Sequence, residues 1–254
     1  MAELPRISVI TPSFNQAPFL EAALRSVLDQ YYSNLEYLVL DGGSSDGSVE
    51  IIRRYESQLA YWHSRKDAGQ ADAIATGFSM ATGEIFCWLN SDDLLLPGAL
   101  QFAGEFFRDR PRIDFLYGNR IVIDEDGREI ARHVWPWHLT RAHWALGQPL
   151  AQECCFWRRA LYEKAGGIDR TRFFVMDYDL FFRMWQIGRF KKTTRYLGAL
   201  RQHEATKNAR SQDVRERELA EARERYGLRV PGYLGVRLLT RWDRLQRFVE
   251  KFVG

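Results

Sequence analysis

Near its N-terminus the chain reads Ile7-Ser8-Val9-Ile10-Thr11-Pro12-Ser13-Phe14-Asn15. Apolar β-branched residues that favour extended backbone give way at once to a polar cluster around a proline, so a strand over 7–11 ends in side chains able to meet a ligand. The next segment, 17–30, changes to helical period, with Leu20, Leu24, Val27 and Leu28 on one face. A strand feeding a helix is half of a βαβ unit. The same rhythm returns, with strands at 36–40, 60–63 and 84–89 and helices at 48–55 and 70–80. The spacing predicts an α/β fold, a Rossmann-like and mostly parallel sheet flanked by helices.

After a helix over 97–107, opened by Pro97 at a favourable first position, the pattern changes to short strands at 114–117, 120–123 and 129–134. The turn 124–127 joins the last two as a hairpin. An aromatic stretch, 135–144, has no clear period; a buried strand is expected at 153–157 and a helix at 177–187 carrying Leu180, Phe181, Met184 and Trp185. No repeat or low-complexity linker interrupts the chain. One domain over 1–210 followed by a helical tail over 211–254 is the organisation expected.

Composition sets the limits. Of 254 residues, 46% are hydrophobic and 27% charged, which suits a globular chain with a real core. No apolar run approaches the ~20 residues of a membrane-spanning helix. No basic segment leads into a long apolar stretch near the start, so a cytoplasmic location is expected. Cys87, Cys154 and Cys155 have no metal-ligand spacing, and adjacent cysteines pair only with strain, so all three read as reduced core residues. A net charge of +3 is too balanced to mark a nucleic-acid binder. The positive charge is concentrated at the end: from Leu228 onward six basic residues face two acidic ones.

Ligands of open parallel sheets bind at the carboxyl ends of the strands. Three predicted strands end in polar clusters: Thr11 to Asn15, then Asp41-Gly42-Gly43-Ser44-Ser45-Asp46-Gly47-Ser48, then Asn90-Ser91-Asp92-Asp93. Any one of them could simply cap the next helix; in a parallel sheet all three share one edge. Asp92 and Asp93 after an apolar strand are costly together unless a cation or solvent neutralises them. A hard divalent ion, Mg²⁺ or Mn²⁺, suits oxygen ligands and keeps positions for substrate phosphates, which suggests a nucleoside diphosphate substrate. A solvated acidic turn is the alternative.

Taken in order, these motifs resemble those of the family 2 glycosyltransferases of the GT-A fold. Asp67-Ala-Gly-Gln-Ala-Asp72-Ala is similar to the segment before that family's metal strand, and Gly166-Gly167-Ile168-Asp169 followed by Met176-Asp177-Tyr178-Asp179-Leu180 is similar to its acceptor-side motif. The resemblance spans about 6–205. It implies inverting transfer of a sugar from a nucleotide donor, UDP being expected, to a hydroxyl of a glycan or lipid-linked acceptor, with a donor half near 1–110 and an acceptor half near 111–210.

The resemblance also implies roles. Thr11, Pro12, Asn15, Asp41, Asp72, Asn90, Ser91 and Asp92 make the donor site, with Asp41 toward the nucleobase and the Thr11 and Pro12 backbone lining that pocket. Asn90-Ser91-Asp92 stands where the family has its D-x-D motif, which makes Asp92 the metal ligand, with Asp93 as a further candidate. Asp177 is the implied general base, at a helix N-terminus where the macrodipole favours the ionised form; Asp179 competes for the role. In Arg201-Gln202-His203 the histidine matches one that some relatives place near the metal or diphosphate, and Arg201 and Lys207 could meet phosphate or be exposed. The chain departs from the pattern at Gly42, Asn90, Ala75 and Met176, of which Gly42, Asn90 and Met176 stand where acids are common.

Two segments extend the reading. Over 236–252 Leu238, Leu239, Trp242, Leu245, Phe248, Val249 and Phe252 recur at helical spacing against Arg237, Arg241, Arg244, Arg247 and Lys251: a basic amphipathic helix suited to an anionic membrane surface, to its own domain or to a second subunit. The Arg- and Glu-rich helix 212–226 reads as a solvated, salt-bridged face. Trp135, Trp137, His138, His143 and Trp144 either line an acceptor groove or form a core beneath a loop. Against the main reading stand a sugar-phosphate nucleotidyltransferase, whose Gly-rich loop with an arginine is missing after the first strand; a two-carboxylate glycoside hydrolase; and a catalytically degenerate nucleotide-binding relative, against which the retained Asp41, Asp92 and Asp177 count.

Overall fold

The computed structural model describes residues 3–147, 149–203 and 212–253, the last ten as backbone only. Strands and helices alternate at first: β1 (Ile7–Ser13), α1 (Ala17–Leu28), β2 (Leu35–Asp41), α2 (Ser48–Tyr55), β3 (Tyr61–Ser64), α3 (Gln70–Met80) and β4 (Ile85–Trp88). There follow β5 (Leu94–Leu95), α4 (Ala99–Asp109), β6 (Phe115–Ile123), β7 (Glu129–His133), α5 (Arg141–Leu146), β8 (Cys155–Arg158), α6 (Arg159–Lys164), α7 (Met176–Ile187) and β9 (Phe190–Arg201). Two further helices, α8 (Gln212–Arg225) and α9 (Tyr233–Val253), come last.

One sheet runs β3-β2-β1-β4-β8-β6-β9-β5, with β7 paired to β6. Its first four strands are all parallel, Ile7 standing beside Leu35 on one side and Ile85 on the other. β8 enters antiparallel to both β4 and β6, and β9 is parallel to β6. The sheet is therefore parallel over its N-terminal strands and mixed beyond them. Pro12 lacks the N–H that a central strand needs; β1 accommodates it because pairing with β4 ends at Ile10 and Trp88.

Alternate residues of each strand feed two cores. Val9, Val39 and Cys87 pack with Leu20, Leu24 and Val27 of α1 and with Leu100, Ala103 and Phe107 of α4. Ile10, Leu40, Phe86, Trp88 and Trp157 pack on the other face with Ile74 and Phe78 of α3 and Leu180, Phe181 and Met184 of α7. α3 lies close to the sheet at Gly77, where a Cβ would stand 2.5 Å from the Ile10 Cγ2. Three cysteines are buried and unpaired, as the sequence predicted.

Several expectations change. The strands at 114–117 and 120–123 are one strand, β6, because Gly118 is a close-packing site: a Cβ there would lie 2.6 Å from the Leu197 Cγ. The helix at 212–226 is solvated on only part of its surface, since Ala222 and Leu228 are buried in the second core and Glu218 is buried beside them. α8 therefore packs against the same core as α3 and α7. The aromatic stretch is core and covering loop: Trp144 is fully buried against Tyr178 and Phe182, His143 caps α5 with Thr140, and Trp137 lies under Lys192. At the opposite end of the sheet from the polar clusters, Ser8, Thr82 and Gly83 donate to buried Glu36, with Arg6 3.4 Å away. Burial pushes the Glu36 carboxyl up, but these donors and Arg6 outweigh it and hold the group below the usual range.

Candidate active site

The carboxyl ends of β1, β2 and β4 open into a cleft of about 870 Å³. Pro12, Ser13, Gly42, Gly43 and Lys66 line one part, Asn90 to Asp93 another, and Phe173, Phe174, Met176 and Asp177 a wall made by the start of α7 and the loop before it. Of the eleven side chains singled out from sequence, six line it: Pro12, Asn90, Ser91, Asp92, Asp93 and Asp177.

The other five stand behind or beside it. Thr11 is buried and its hydroxyl pairs with the Tyr37 hydroxyl at 2.9 Å. Asp41 is buried; its Oδ2 accepts from the Gly43 and Ser44 amides and the Ser64 hydroxyl, and its Oδ1 from the Ser44 hydroxyl at 2.5 Å. That carboxylate shapes the loop whose Gly42 and Gly43 face the cleft. Asn15, in the left-handed region at φ 51°, accepts from the Ser45 amide while its own N–H donates to the Ser44 hydroxyl, so the loops after β1 and β2 are laced together. Asp72 accepts from the Ala68 amide and pairs with Arg170. His203 is buried, its ring tilted at 45° against that of Phe19 with centroids 4.5 Å apart, and its Nε2 donates to Asp92 Oδ2 at 3.1 Å.

The loop after β4 is organised by Asn90. Its Oδ1 accepts from Gln70 Nε2, and its Nδ2 donates to Asp93 Oδ2 and to Gln152 Oε1. A carboxylate at 90 would face buried Asp93, whereas the neutral amide supports it. Burial first, then Asp92 and Glu153, push the Asp93 carboxyl well above the usual range. Asp93 Oδ1 accepts from the Arg201 amide, while Arg201 Nε donates to the Asp92 carbonyl and Nη1 to the carbonyls of Asp124 and Glu125. Arg201 is therefore a buried strap that fixes Asp92. Lys207 lies outside the described residues.

Asp92 and His203 are the pair suited to a divalent cation: one oxygen and one nitrogen share a proton that a cation would replace. Two protein donors leave coordination positions for phosphate oxygens, the usual arrangement for Mg²⁺. Among the described residues no group of three His, Cys, Asp or Glu side chains forms a ready metal centre.

Asp177 is the second residue of α7, and its Oδ1 accepts from the Tyr178 amide at 2.8 Å. Asp179 turns away: Arg183 donates to its Oδ2 and the Tyr226 hydroxyl to its Oδ1, which makes it a structural anion. None of Trp135, Trp137, His138, His143 and Trp144 lines the cleft; Phe173 and Phe174 do. Sequence reasoning also passed over Arg120 and Glu153, a bidentate pair at 2.5 and 2.9 Å in the cleft wall. The signal was there in an acid, Glu153, placed at the head of an otherwise apolar run.

The family described as glycosyl transferase family 2 matches residues 8–165. An uncharacterized glycosyltransferase of Mycobacterium tuberculosis is 31% identical over 188 residues, which cover 72% of this chain and 70% of the relative. Another, from Rickettsia conorii, is 27% identical over 192 residues, and there the chain spans only 32% of the relative's length. Staphylococcus aureus TarS 1-349 in complex with UDP-GlcNAc superposes with a TM-score of 0.66 at 18% identity, covering 85% of this chain and 66% of that one. A Pyrobaculum calidifontis mannosyltransferase in complex with GDP-Man and Mn²⁺ gives 0.65 at 19% identity, covering 91% and 67%. These two share the GT-A fold with the chain. With the family match running from 8 to 165 and a relative 31% identical over 72% of the chain, the chain belongs to glycosyl transferase family 2.

Proposed function

We propose that the protein transfers a sugar, with inversion, from a UDP-sugar to a hydroxyl of a glycan or lipid-linked acceptor. The observation that carries this reading is that Asp92 and Asp177 line one cleft from two separate elements, the loop after β4 and the start of α7. A donor and an acceptor can then approach each other with a carboxylate on each side. Pro12, Gly42, Gly43, Asn90 and Ser91 form the donor wall, backed by Thr11, Asn15 and Asp41, while Asp72 braces the loop before α3. Asp92 and His203 would hold the divalent ion, with Asp93 behind them. Mn²⁺ or Mg²⁺ bound there supplies a Lewis acid for the charge growing on the diphosphate.

The chain's own part in the chemistry is proton removal and placement. Asp177 takes the proton of the acceptor hydroxyl as its oxygen attacks the anomeric carbon; the bond from that carbon to the β-phosphate oxygen breaks, and the nucleoside diphosphate leaves with the electron pair. The base approaches opposite the leaving group, hence inversion. Such a base contributes about 10²–10⁴-fold. Asp177→Asn should leave UDP affinity in the presence of Mn²⁺ nearly unchanged and lower turnover at least ~100-fold. Unchanged turnover would reject the assignment.

A second proposal concerns where the enzyme works. Leu234, Leu238 and Trp242 are exposed at 73%, 66% and 51% along one side of α9, with exposed Arg237 and Arg241 interleaved. No helix among the described residues is long and apolar enough to cross a membrane. A basic, apolar stripe on the surface fits the cytoplasmic face of an anionic bilayer, where a lipid-linked acceptor would be presented. Leu239 is half-buried, and Leu245, Phe248, Val249 and Phe252 of the stripe lie outside the described side chains. Flotation with phosphatidylserine vesicles should carry the wild type and leave the Leu238→Glu/Trp242→Glu variant behind; equal behaviour, or a dimer that the variant splits, would overturn membrane contact.

A further inference from the structure

α8 lies beyond the residues matched by the family, yet its Glu218 is buried and reaches back to the loop in front of α7. Glu218 Oε1 accepts from the Phe173 amide at 2.9 Å, and Oε2 accepts from the amides of Phe174 and Val175 at 2.8 and 3.1 Å. Three consecutive N–H groups thus converge on one carboxylate from a helix more than forty positions away. Charge-assisted bonds of this kind are the strong ones, and a buried carboxylate is costly without them. The same helix end is tied to α7 by Tyr226, whose hydroxyl donates to Asp179 at 2.5 Å. Burial and that hydrogen bond push the Tyr226 hydroxyl up to about 12, so it remains a donor at neutral pH.

The held loop belongs to the cleft. Phe173, 47% exposed, and Phe174 line its wall, and Asp177 follows two positions after Val175. We infer that Glu218 is a positioning residue for sugar transfer: it fixes the 173–175 backbone so that the Phe173 ring and the Asp177 carboxylate face the acceptor end of the cleft together. This rests on the reading of Asp177 as the base. Glu218 touches no reacting atom. It acts by setting where α7 begins, and a 1 Å misplacement of a catalytic group can cost about 10²-fold.

The test compares the full-length wild type with Glu218→Ala, which loses all three acceptor contacts; Glu218→Gln, which keeps its length and one oxygen; and Glu224→Ala, exposed on the same helix. Hydrogen exchange measured by mass spectrometry should accelerate at least ~10-fold over 173–177 in Glu218→Ala, less in Glu218→Gln and not in Glu224→Ala. UDP affinity with Mn²⁺ should stay within about twofold in all three while turnover of Glu218→Ala falls ~10–100-fold, with Glu218→Gln between. Unchanged exchange over 173–177 in Glu218→Ala would overturn the inference, as would a loss of UDP binding that matches the loss of turnover. The exchange measurement needs no active base, so failure of the Asp177 assignment shows up separately, as an Asp177→Asn variant that still turns over.

Discussion

Glutamine in place of Glu153 is expected to be one of the most damaging single-atom changes in the protein. Glu153 is 1% exposed and Arg120 17%, and the two are joined by a bidentate pair. Burial pulls the Arg120 guanidinium down, but Glu153 outweighs it and holds the cation above its ordinary value. In Glu153→Gln one acceptor remains, but the arginine keeps its charge in a wall where the Trp135 ring lies 5.8 Å away. Breaking a buried pair from one side costs about 3–5 kcal/mol, a large share of the 5–15 kcal/mol that a domain commands. At about 2–4 °C per kcal/mol for a chain of this size, the melting temperature should fall by roughly 6–20 °C. Urea unfolding should show the lower midpoint with an unchanged slope. The double variant Arg120→Met/Glu153→Met removes both charges at similar volume and should return close to wild type, because replacing a whole buried pair is often neutral. If Glu153→Gln stays within about 1 kcal/mol of wild type, or the double variant is as unstable as the single, the dependence of Arg120 on Glu153 is refuted.

Other outcomes follow from the same geometry. Asp92→Ala should abolish the gain in UDP affinity from added Mn²⁺, measured by calorimetry with and without the ion; a gain of wild-type size would remove Asp92 from the metal site. Glu36 has a folded value below its unfolded value of about 4.3, so its contribution is full above that pH and is lost as pH falls through the folded value. The gap in urea midpoint between wild type and Glu36→Gln should therefore be widest near pH 7 and close on acidification below about pH 4. Gly77→Ala would bring a Cβ to 2.5 Å from Ile10 and 2.9 Å from Leu40. Overpacking of about 1–3 kcal/mol against a helix-propensity gain of about 1 predicts net destabilisation, and a stabilised variant would show that α3 can lift off the sheet freely.

The N-terminal strands and helices were legible because each local signal agreed with the next. β1, β2 and β4 fall within a residue or two of the predicted strands, and the polar clusters after them do share a cleft. What escaped was set by distant partners. β9 was not foreseen: Lys191, Lys192, Thr193, Thr194 and Arg195 offer no apolar alternation, yet Lys192 is buried, its ammonium over the Trp137 ring. Gly118 looked like a break and is a packing site against Leu197. Glu218 could not be told from the exposed acids around it, because its three N–H partners lie on another element. Asp41 and Asp72 stood out by motif, but their placement behind and beside the cleft depends on serines and an arginine that no spacing reveals.

The strap at Arg201 also bears on how the protein comes to life. Arg201 reaches the Asp92 carbonyl across 109 positions, and His203 reaches the Asp92 carboxylate across 111. Each βαβ unit of the N-terminal parallel strands closes over a few tens of residues, whereas this corner waits for a chain loop several times longer, and long loops form late because their closure entropy comes before any contact is gained. During refolding, secondary structure should therefore return ahead of the ability to bind a nucleotide with its cation. On the ribosome the loop carrying Asp92 emerges long before the residues that fasten it, so the protein is structured for a time before that corner is complete.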